Sequence, residues 1–355
     1  MPEIEQAIGV TELSSTSRGI SRPTLEDVAN AAGVSRATVS RVINSSPKVS
    51  PGVRETVHAA VRKLGYIPNR AARTLVTRRT DAIALVLSEP DNKFFADPYF
   101  ATVVRGAATE LSTLDVQMVL MLADQGDDHG RILRFLSGGH VDGALVLAPH
   151  RDDPLPAQIS ELPLPSVYGG KPWLPESEVH SVDNDNVAGG RVATEHLLGL
   201  GRRTVVSVLG PADEQSARDR LRGWQEATGA DAARTEAWTA QGDFTQDGGE
   251  RAMAELLARV PELDAVFVAS DLMAVGALRA LRAAGKRVPE DVAVVGFDDQ
   301  PTIAPYTDPP LTSIKQDSAE QMRAMVQRLF QLLAGEDIAP GREVLPVELV
   351  RRQSA

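Results

Sequence analysis

The chain has 355 residues, 43% of them hydrophobic and 24% charged, so it is long enough for two or three domains and too apolar to be disordered throughout. It contains no cysteine, which excludes disulfides, thiol nucleophiles and cysteine-ligated metals. The formal net charge of -11, taken alone, argues against a nucleic-acid partner.

The charge is unevenly distributed along the chain. Residues 21–80 contain 11 Lys or Arg against 3 Asp or Glu, which gives a net charge of +8. Residues 1–20 carry -2, so residues 81–355 carry -17. A basic module attached to an acidic body is the electrostatic pattern of phosphate binding, although a solvated charged face gives the same count. Local motifs must therefore decide between the two.

The first 20 residues are polar and lack apolar periodicity, so we predict a disordered tail over 1–20. They lack the positively charged stretch and apolar core of a secretory signal. The chain also has no run of 18 apolar residues that could span a membrane. We therefore expect a cytoplasmic protein with no membrane partner.

Residues 24–44 carry the pattern of a helix-turn-helix. Thr24 can cap a first helix, Asp27 favours its first turn, and Gly33 permits the tight turn that ends it. Ser35 can cap a second helix after a gap of only about three residues, which is the spacing of this motif.

A third helix follows, with Ser50 as its predicted cap, Pro51 in its first turn and Gly65 at its end. Residues 70–79 then combine good helix formers with four arginines. This stretch has too few apolar positions to pack alone, so we expect it to be helical only where something holds it.

From residue 82 onward, apolar runs alternate with amphipathic segments. The candidate strands are 82–87, 116–122, 143–148, 165–169, 204–210, 265–270 and 292–297. The candidate helices include 100–113, 186–200, 216–228, 247–260 and 271–284. Buried strands alternating with helices predict parallel sheets covered on both faces. The length favours two α/β lobes with a break near residues 175–185, and a ligand site at the carboxyl ends of the strands.

Several long motifs, which follow one another in the same order along the chain, resemble those of a known family. TLEDVANAAGVSRATVSRVIN (24–44) and VSPGVRETVHAAVRKLGYIPNRAARTL (49–75) are similar to the DNA-binding headpiece and hinge of the lactose/galactose repressor (LacI/GalR) family. SARDRLRGW (216–224) and ASDLMAVGALRALRAAGKRVPEDVAVVGFDD (269–299) resemble its body. The resemblance covers about residues 22–350. It implies a dimeric transcription factor, usually a repressor, with a small effector in the cleft of a two-lobed body.

The resemblance also implies the fold class and its boundaries. We expect an α/β protein with a three-helix helix-turn-helix headpiece and a hinge helix, followed by two Rossmann-like lobes of periplasmic-binding-protein type. The implied segments are a tail at 1–20, a headpiece at 21–67, a hinge helix or linker at 68–80 and an effector-binding and dimerisation body at 81–355. Lobe 1 is expected at about 81–179 and 303–335, and lobe 2 at about 180–302 and 336–355.

In this family the second headpiece helix enters the major groove. Arg36 and Ala37 are then the expected base readers, while Arg41 fits base reading and phosphate anchoring equally. The other implied headpiece contacts are Thr24, Ser35, Thr38, Ser40, Asn44 and Tyr66. Leu75 matches the hinge leucine that wedges a base step in the minor groove. The residues expected along the same groove are Asn69, Ala72 and Arg73.

The resemblance places effector contacts in the cleft of the body, where polar groups bind sugar hydroxyls and aromatic rings stack on C–H faces. The implied contacts are Ser88, Glu89, Tyr99, Trp173, Arg220, Phe244, Ser270, Asp298 and Gln316. Ser270 replaces an asparagine of some sugar-binding members. The segment GGKPW (169–173) replaces a carboxylate that the family often has there. This departure suggests room for a larger ligand, with Trp173 stacking at one end.

Three segments refine the expected effector. SEPDNKFFADPYF (88–100), VYGGKPW (167–173) and GDFTQDGG (242–249) resemble repressors of cello-oligosaccharide or β-glucoside utilisation. Cellobiose or a cello-oligosaccharide is therefore the expected effector, and its binding is expected to release an inverted-repeat operator. The chain ends without the C-terminal heptad repeat of the family's tetrameric member, so a homodimer is expected.

Other functions agree less well with the sequence. The six histidines show no ligand spacing, and there is no phosphate loop or nucleophile elbow, so we expect no metal, no cofactor and no enzymatic activity. A sugar-binding protein or carbohydrate-active enzyme without DNA binding would lack the basic headpiece. Within the family, a different effector, or a corepressor that strengthens DNA binding, stays open.

Overall fold

The computed structural model describes residues 23–43, 48–66, 79–123, 129–147 and 150–355. The chain divides into two compact units, residues 1–78 and 79–355. Within the described ranges, no helix is both long enough and apolar enough to cross a bilayer.

The described residues of the first unit form three helices: α1 (Leu25–Ala32), α2 (Arg36–Ile43) and α3 (Pro51–Leu64). A reciprocal capping box opens α1. The Asp27 N–H donates to the Thr24 hydroxyl at 3.3 Å, and the Thr24 N–H donates to the Asp27 carboxylate at 2.7 Å. Gly33 ends α1 with φ of 66°, a left-handed conformation that favours glycine. The predicted first helix and turn are thus confirmed.

The two predicted serine caps differ. Ser35 Oγ accepts a hydrogen bond from the Thr38 N–H at 3.1 Å, as a cap of α2 should. Ser50 occupies the cap position of α3, as predicted, but its side chain makes no cap hydrogen bond. Pro51 at the first helical position has no N–H to satisfy, which reduces the need for a cap. The buried core of the unit is Val28, Ala29, Val39, Val42, Val57, Ala60 and Tyr66.

The second unit, residues 79–355, alternates strands with helices. Its strands are β1 (Ala82–Leu87), β2 (Gln117–Leu122), β3 (Gly143–Leu147), β4 (Ser166–Gly169), β5 (His180–Asn184), β6 (Val205–Leu209), β7 (Thr239–Gln241), β8 (Ala265–Val268), β9 (Ala293–Asp298), β10 (Thr312–Lys315), β11 (Gly341–Leu345) and β12 (Glu348–Val350). Its helices are α4 (Asp91–Ala96), α5 (Pro98–Thr113), α6 (Gly130–Ser137), α7 (Leu155–Ser160), α8 (Asn186–Gly199), α9 (Gln215–Thr228), α10 (Ala232–Trp238), α11 (Gln246–Arg259), α12 (Asp271–Ala283) and α13 (Ser318–Leu333), with a 3₁₀ turn at Ala304–Tyr306.

These strands form two six-stranded sheets, each the centre of one lobe. The sheet of lobe 1 has the order β11-β5-β4-β3-β1-β2 and is parallel throughout. The sheet of lobe 2 has the order β12-β10-β9-β8-β6-β7, and only β12 runs antiparallel to its neighbour. The α/β class and the two parallel-sheet lobes are therefore confirmed.

The strand β1 shows why apolar runs become central strands. All six of its side chains are buried. Ile83, Leu85 and Leu87 pack into the core on one face of the sheet. The intervening Ala82, Ala84 and Val86 pack into the core on the other face. A strand covered on both faces needs apolar residues at every position rather than at alternate positions.

The predicted lobe boundaries need correction at three strands. The strand β5 pairs with β4 and therefore belongs to lobe 1 rather than lobe 2. The strand β10 pairs with β9 in lobe 2, whereas β11 pairs with β5 in lobe 1. The chain thus passes between the lobes after β5, after β10 and between β11 and β12. No apolar run marks β5, because its residues HSVDN are mostly polar although four of them are buried.

The helices α8 and α9 pack closely in lobe 2. A Cβ on Gly223 would overlap the carbonyl oxygen of Val187, and a Cβ on Gly190 would overlap that of Arg220. Only glycine allows the two backbones to approach this far. The contact brings the start of α8 beside Arg220 in α9.

Candidate functional site

One cavity of the second unit lies where the carboxyl ends of strands from both sheets face each other. It contains about 870 Å³ of space counted out to its open mouth. Its lining comes from residues just after β1, β4, β5, β8, β9 and β10, and from helices of both lobes. The site therefore occupies the place that the parallel-sheet topology predicts.

Seven of the nine residues expected to contact an effector line this cavity. They are Glu89, Tyr99, Arg220, Phe244, Ser270, Asp298 and Gln316. The other two, Ser88 and Trp173, are not part of the lining.

Arg220 is the centre of one polar group, which we call the Arg220 cluster: Asn186, Arg220, Asp298 and Gln316. The guanidinium donates to Asn186 Oδ1 at 2.9 Å and to the Ala269 carbonyl at 2.5 Å. It stacks on the ring of Phe297 at 3.6 Å from the centroid. These contacts fix the buried guanidinium in one orientation, which is what bidentate recognition of hydroxyls requires.

Asp298 completes this cluster. Its Oδ1 accepts from Gln316 Nε2 at 2.7 Å and lies 3.5 Å from Arg220 Nη1. Burial raises the pKa of Asp298 to about 7, even though Arg220 acts to lower it. Its φ of 108° is strained for a residue with a side chain, at a cost on the order of 1–3 kcal/mol. The carboxyl is thus held at the cavity and can titrate near neutral pH.

Asp271 supports this strained turn from beneath. It is fully buried, and its carboxylate accepts from Ser313 Oγ at 2.6 Å and from the Gln300 N–H at 2.7 Å. Burial and the nearby Asp298 raise the pKa of Asp271. The neighbouring Ser270 caps α12 through its hydroxyl oxygen, 3.2 Å from the Met273 N–H. Its hydroxyl proton remains available as a donor to the cavity.

A second polar group, the Lys93 cluster, joins the two lobes: Glu89, Lys93 and Glu214. Lys93 Nζ lies 3.1 Å from Glu89 Oε1 in lobe 1 and 3.1 Å from Glu214 Oε1 in lobe 2. Burial alone would lower the pKa of Lys93, but the two carboxylates outweigh it and raise that pKa. All three side chains line the cavity, so it is charged on more than one side.

Phe244 supplies an aromatic wall close to both clusters. Lys93 Nζ lies 5.6 Å and Arg220 Cζ 5.8 Å from the centroid of its ring. Phe244 has φ of 62°, another strained conformation at the cavity. Apolar faces flanked by charged and amide groups suit a molecule that has hydroxyls at its edge and C–H groups on its faces.

The first unit presents polar side chains along α2. Arg36, Ala37 and Arg41 are exposed, whereas Val39 and Val42 of the same helix are buried. Ser35 is exposed, and its Oγ lies 2.9 Å from Thr38 Oγ1. The helix therefore turns its basic face outward, as a helix that enters a DNA groove must.

The other residues expected to contact DNA differ in exposure and in the contacts they make. Thr24 is exposed and engaged in its capping box, Ser40 is half-buried, and Tyr66 packs in the core of the unit. A DNA contact by any of the three stays a prediction. The residues that lie outside the described ranges are Asn44, Asn69, Ala72, Arg73 and Leu75.

Comparison with known proteins gives a match for each of the two units. Residues 24–69 match the model of bacterial regulatory proteins of the lacI family, and residues 194–355 match a periplasmic binding protein-like domain. The HTH-type transcriptional regulator CelR of Thermobifida fusca is 51% identical over 335 residues, which cover 94% of this chain and 98% of CelR. The chain belongs to the LacI family of bacterial regulatory proteins. As a member of this family, it is a DNA-binding transcriptional regulator.

Other members of the LacI family support this assignment. The ribose operon repressor of Escherichia coli K12 is 33% identical over 94% of this chain and 99% of its own length. A structure of the transcriptional regulator CelR in complex with cellobiose aligns with a TM-score of 0.74 at 48% identity, over 94% of this chain and all of that chain. The Lac repressor dimer bound to operator and the anti-inducer ONPF aligns with a TM-score of 0.79 at 31% identity, over 94% and 98%.

Two expected effector contacts of this LacI-family chain have other partners. The Ser88 hydroxyl donates to the carboxylate of Asp153. The Trp173 indole N–H donates to the Asp213 carbonyl at 2.9 Å. The guanidinium of Arg151 lies 4.5 Å from the centroid of the Trp173 ring. The expected stacking of Trp173 at one end of the cavity is therefore corrected, because its ring is engaged by the other lobe and by arginine.

The cavity also contains polar residues that the sequence did not reveal. They are Lys93, Asp97, Lys171, Asp183, Asn184, Asn186, Glu214, Gln215, Ser216 and Gln321. Asn184 and Asn186 flank the first passage between the lobes, at the end of the polar strand β5 that apolar periodicity cannot detect. No local pattern points to Lys93 or Glu214, because their pairing depends on the approach of two lobes distant in sequence.

Proposed function

We propose that this chain represses sugar-utilisation genes as a homodimer on an inverted-repeat operator, and that cellobiose or a short cello-oligosaccharide releases it. The observation that carries the proposal is the presence of two polar clusters and an aromatic wall in one cavity. The similarity to CelR, of which a cellobiose complex is known, supports it. DNA binding implies action in the cytoplasm.

The arrangement of the cavity favours a disaccharide over a monosaccharide. The Arg220 cluster offers a guanidinium, a carboxyl and two amides, which suit the hydroxyls of one pyranose ring. The Lys93 cluster offers an ammonium and two carboxylates, which suit the hydroxyls of a second ring. Phe244, close to both, can stack on the C–H face of either ring.

Release of DNA follows from linkage between two binding sites. A sugar held by both clusters stabilises the arrangement of the lobes in which Glu89 and Glu214 approach the same ligand. If the operator binds best to another arrangement, each ligand weakens binding of the other by the same factor. The coupling expected for such a switch is roughly 5- to 150-fold.

The sugar acts as a ligand rather than a substrate in this proposal. Glu89 and Glu214 share the Lys93 ammonium, and Asp298 is held by Arg220 and Gln316. A glycosidase instead needs one protonated and one ionised carboxyl facing each other across the scissile bond. Prolonged incubation with the protein should leave cellobiose intact, as judged by chromatography.

Titration of a fluorescent inverted-repeat operator tests the proposal. The wild-type protein should bind tightly, and cellobiose should raise the apparent Kd at least fivefold, within the range above. Arg36→Ala should weaken operator binding without changing the affinity for cellobiose, and Arg234→Ala on an exposed helix of lobe 2 is the matched control. Operator binding that cellobiose leaves unchanged, or strengthens, would contradict the assigned effector or the direction of its effect.

A further inference from the structure

A two-residue segment of lobe 2 is docked on lobe 1 beside the cavity. The Asp213 carbonyl accepts from the Arg151 N–H at 3.1 Å and from the Trp173 indole at 2.9 Å. Glu214 forms an isolated antiparallel bridge with His150. Backbone and side-chain contacts thus meet at one place, which makes this a specific contact between the lobes.

His150 occupies the centre of this contact. Its Nδ1 lies 2.8 Å from Asp213 Oδ2 in lobe 2, and its Nε2 lies 3.3 Å from Glu89 Oε2 in lobe 1. An imidazolium can donate from both nitrogens, whereas a neutral ring can donate from only one. Burial would lower the pKa of His150, but hydrogen bonds and charge from Glu89 and Asp213 raise it to about 9. The ring is therefore a cation at neutral pH.

The charged groups that face His150 come from both lobes. They are Glu89 and Lys93 of lobe 1 and Asp213 and Glu214 of lobe 2. With His150 protonated, three carboxylates face two cations. Loss of its proton would leave the three carboxylates with Lys93 alone and would increase repulsion between the lobes.

His150 and Asp213 lie outside the cavity lining, whereas Glu89 and Glu214 belong to it. We propose that His150 and Asp213 form a latch between the lobes that positions Glu89 and Glu214, and that this latch sets the affinity for the sugar without touching it. The positioning of Glu89 and Glu214 by the latch does not depend on the effector. The effect of the latch on sugar affinity rests on the proposed function. His150 is a positioning residue in this account.

Glu89, His150 and Glu214 could also be interpreted as a metal site. One ligand atom each from Glu89, His150 and Glu214 lies within 4.8 Å of the others. However, the Lys93 ammonium already lies at hydrogen-bond distance from both carboxylates and occupies the role of the cation. The ion pairs of the imidazolium and of the ammonium neutralise these carboxylates without an added ion. A chelator should therefore change none of the measurements below.

The first experiment tests the latch without any sugar. Because the chain has no cysteine, two spin labels can be attached specifically at exposed positions, one in each lobe, through Gln158→Cys and Glu236→Cys. Pulsed electron paramagnetic resonance then reports the distance between the lobes. His150→Gln and Asp213→Asn should each broaden and lengthen the distance distribution at pH 7.5, and the parent protein should change in the same direction at pH 10. His140→Gln, whose ring stacks on Phe135 away from the latch, should have no effect.

The second experiment links the latch to the sugar. Calorimetric titration with cellobiose should give a Kd roughly 5- to 50-fold higher for His150→Gln and for Asp213→Asn than for wild type at pH 7.5. The double variant should resemble His150→Gln, because that change already removes the contact with Asp213. Between pH 7.5 and 10 the affinity of wild type should fall more than that of His150→Gln.

The outcomes separate the two proposals. Unchanged distances in both variants would overturn the latch, whatever sugar is bound. Altered distances with no binding of cellobiose even by wild type would leave the latch in place and contradict the assigned effector. Altered distances with unchanged affinity for cellobiose would overturn the link between latch and effector.

Discussion

The two polar clusters of the cavity differ in how they are built. The Arg220 cluster lies in lobe 2 and in the segments where the chain passes between the lobes. Its geometry is fixed by a ring stack, a buried aspartate and tight helix packing. The Lys93 cluster spans the lobes, so it is complete only when the lobes approach each other. The difference indicates that the two clusters have separate roles. In the proposed function, the Arg220 cluster provides a preorganised binding surface, and the Lys93 cluster connects ligand binding to lobe position.

The largest expected effect comes from the preorganised cluster. Arg220→Ala should raise the Kd for cellobiose at least about 100-fold, since it removes charge-assisted hydrogen bonds worth roughly 1.5–3 kcal/mol each. Calorimetry would measure this loss, and the operator should still bind but no longer respond to sugar. Arg222→Ala, two residues away on the same helix, removes a side chain that is 68% exposed and should change little. Equal effects of both variants would contradict the role of Arg220.

A backbone change should disturb the same cluster indirectly. Gly223→Ala would force apart α8 and α9, which hold Asn186 and Arg220. We expect a loss of about 1–3 kcal/mol in the free energy of unfolding of the body, measured by chemical denaturation. Gly199→Ala is the control, because a Cβ there meets no atom within 4 Å. A similar loss at both glycines would argue against tight packing as the reason for Gly223.

Acidification should weaken the Arg220 cluster. Because burial places the pKa of Asp298 near 7, its carboxylate becomes protonated as the pH falls from 8 to 6. The affinity for cellobiose should then fall by up to about tenfold, since a protonated carboxyl accepts hydroxyl donors less well. Asp298→Asn should bind more weakly at pH 8 and show little change over this range. A wild-type affinity independent of pH would rule out the ionised form as the one that binds.

The smallest expected effect is on stability in alkali. The pKa of His150 is about 9 in the folded chain and has an ordinary value of 6.5, so its protonation stabilises the fold fully below pH 6.5. This contribution is lost as the pH rises through 9. Calorimetry of wild type should show a Tm lower by roughly 2–5 °C at pH 10 than at pH 7, and the decrease should be smaller in His150→Gln than in His140→Gln. The same decrease in both variants would exclude His150 as its cause.

Much of the fold follows from the sequence because its central elements are strongly patterned. The seven apolar runs became strands, and the capping residues Thr24 and Ser35 make the expected hydrogen bonds. The lobe boundaries were wrong because β5, β10 and β11 are short or polar, and their pairing is set by tertiary contacts that local pattern does not encode.

Only some residues of the candidate site could be predicted from the sequence, for a related reason. Arg220 and Asp298 lie in recognisable motifs and indeed line the cavity. Lys93 and Glu214 are 121 residues apart and become partners only when two lobes approach, so no sequence window contains their relationship. Trp173 was expected to stack on the ligand because GGKPW replaces a family carboxylate, but its indole N–H donates to the Asp213 carbonyl of lobe 2 and Arg151 lies over its ring. Local sequence does not encode these contacts.

The central claim is that one cavity uses two clusters to bind a two-ring sugar. Calorimetric titration of the wild-type protein with cellobiose and with glucose under identical conditions tests it most directly. The account predicts a Kd for cellobiose at least about tenfold lower, because only the disaccharide can reach both clusters. Equal affinities for the two sugars, or binding of glucose without binding of cellobiose, would contradict it.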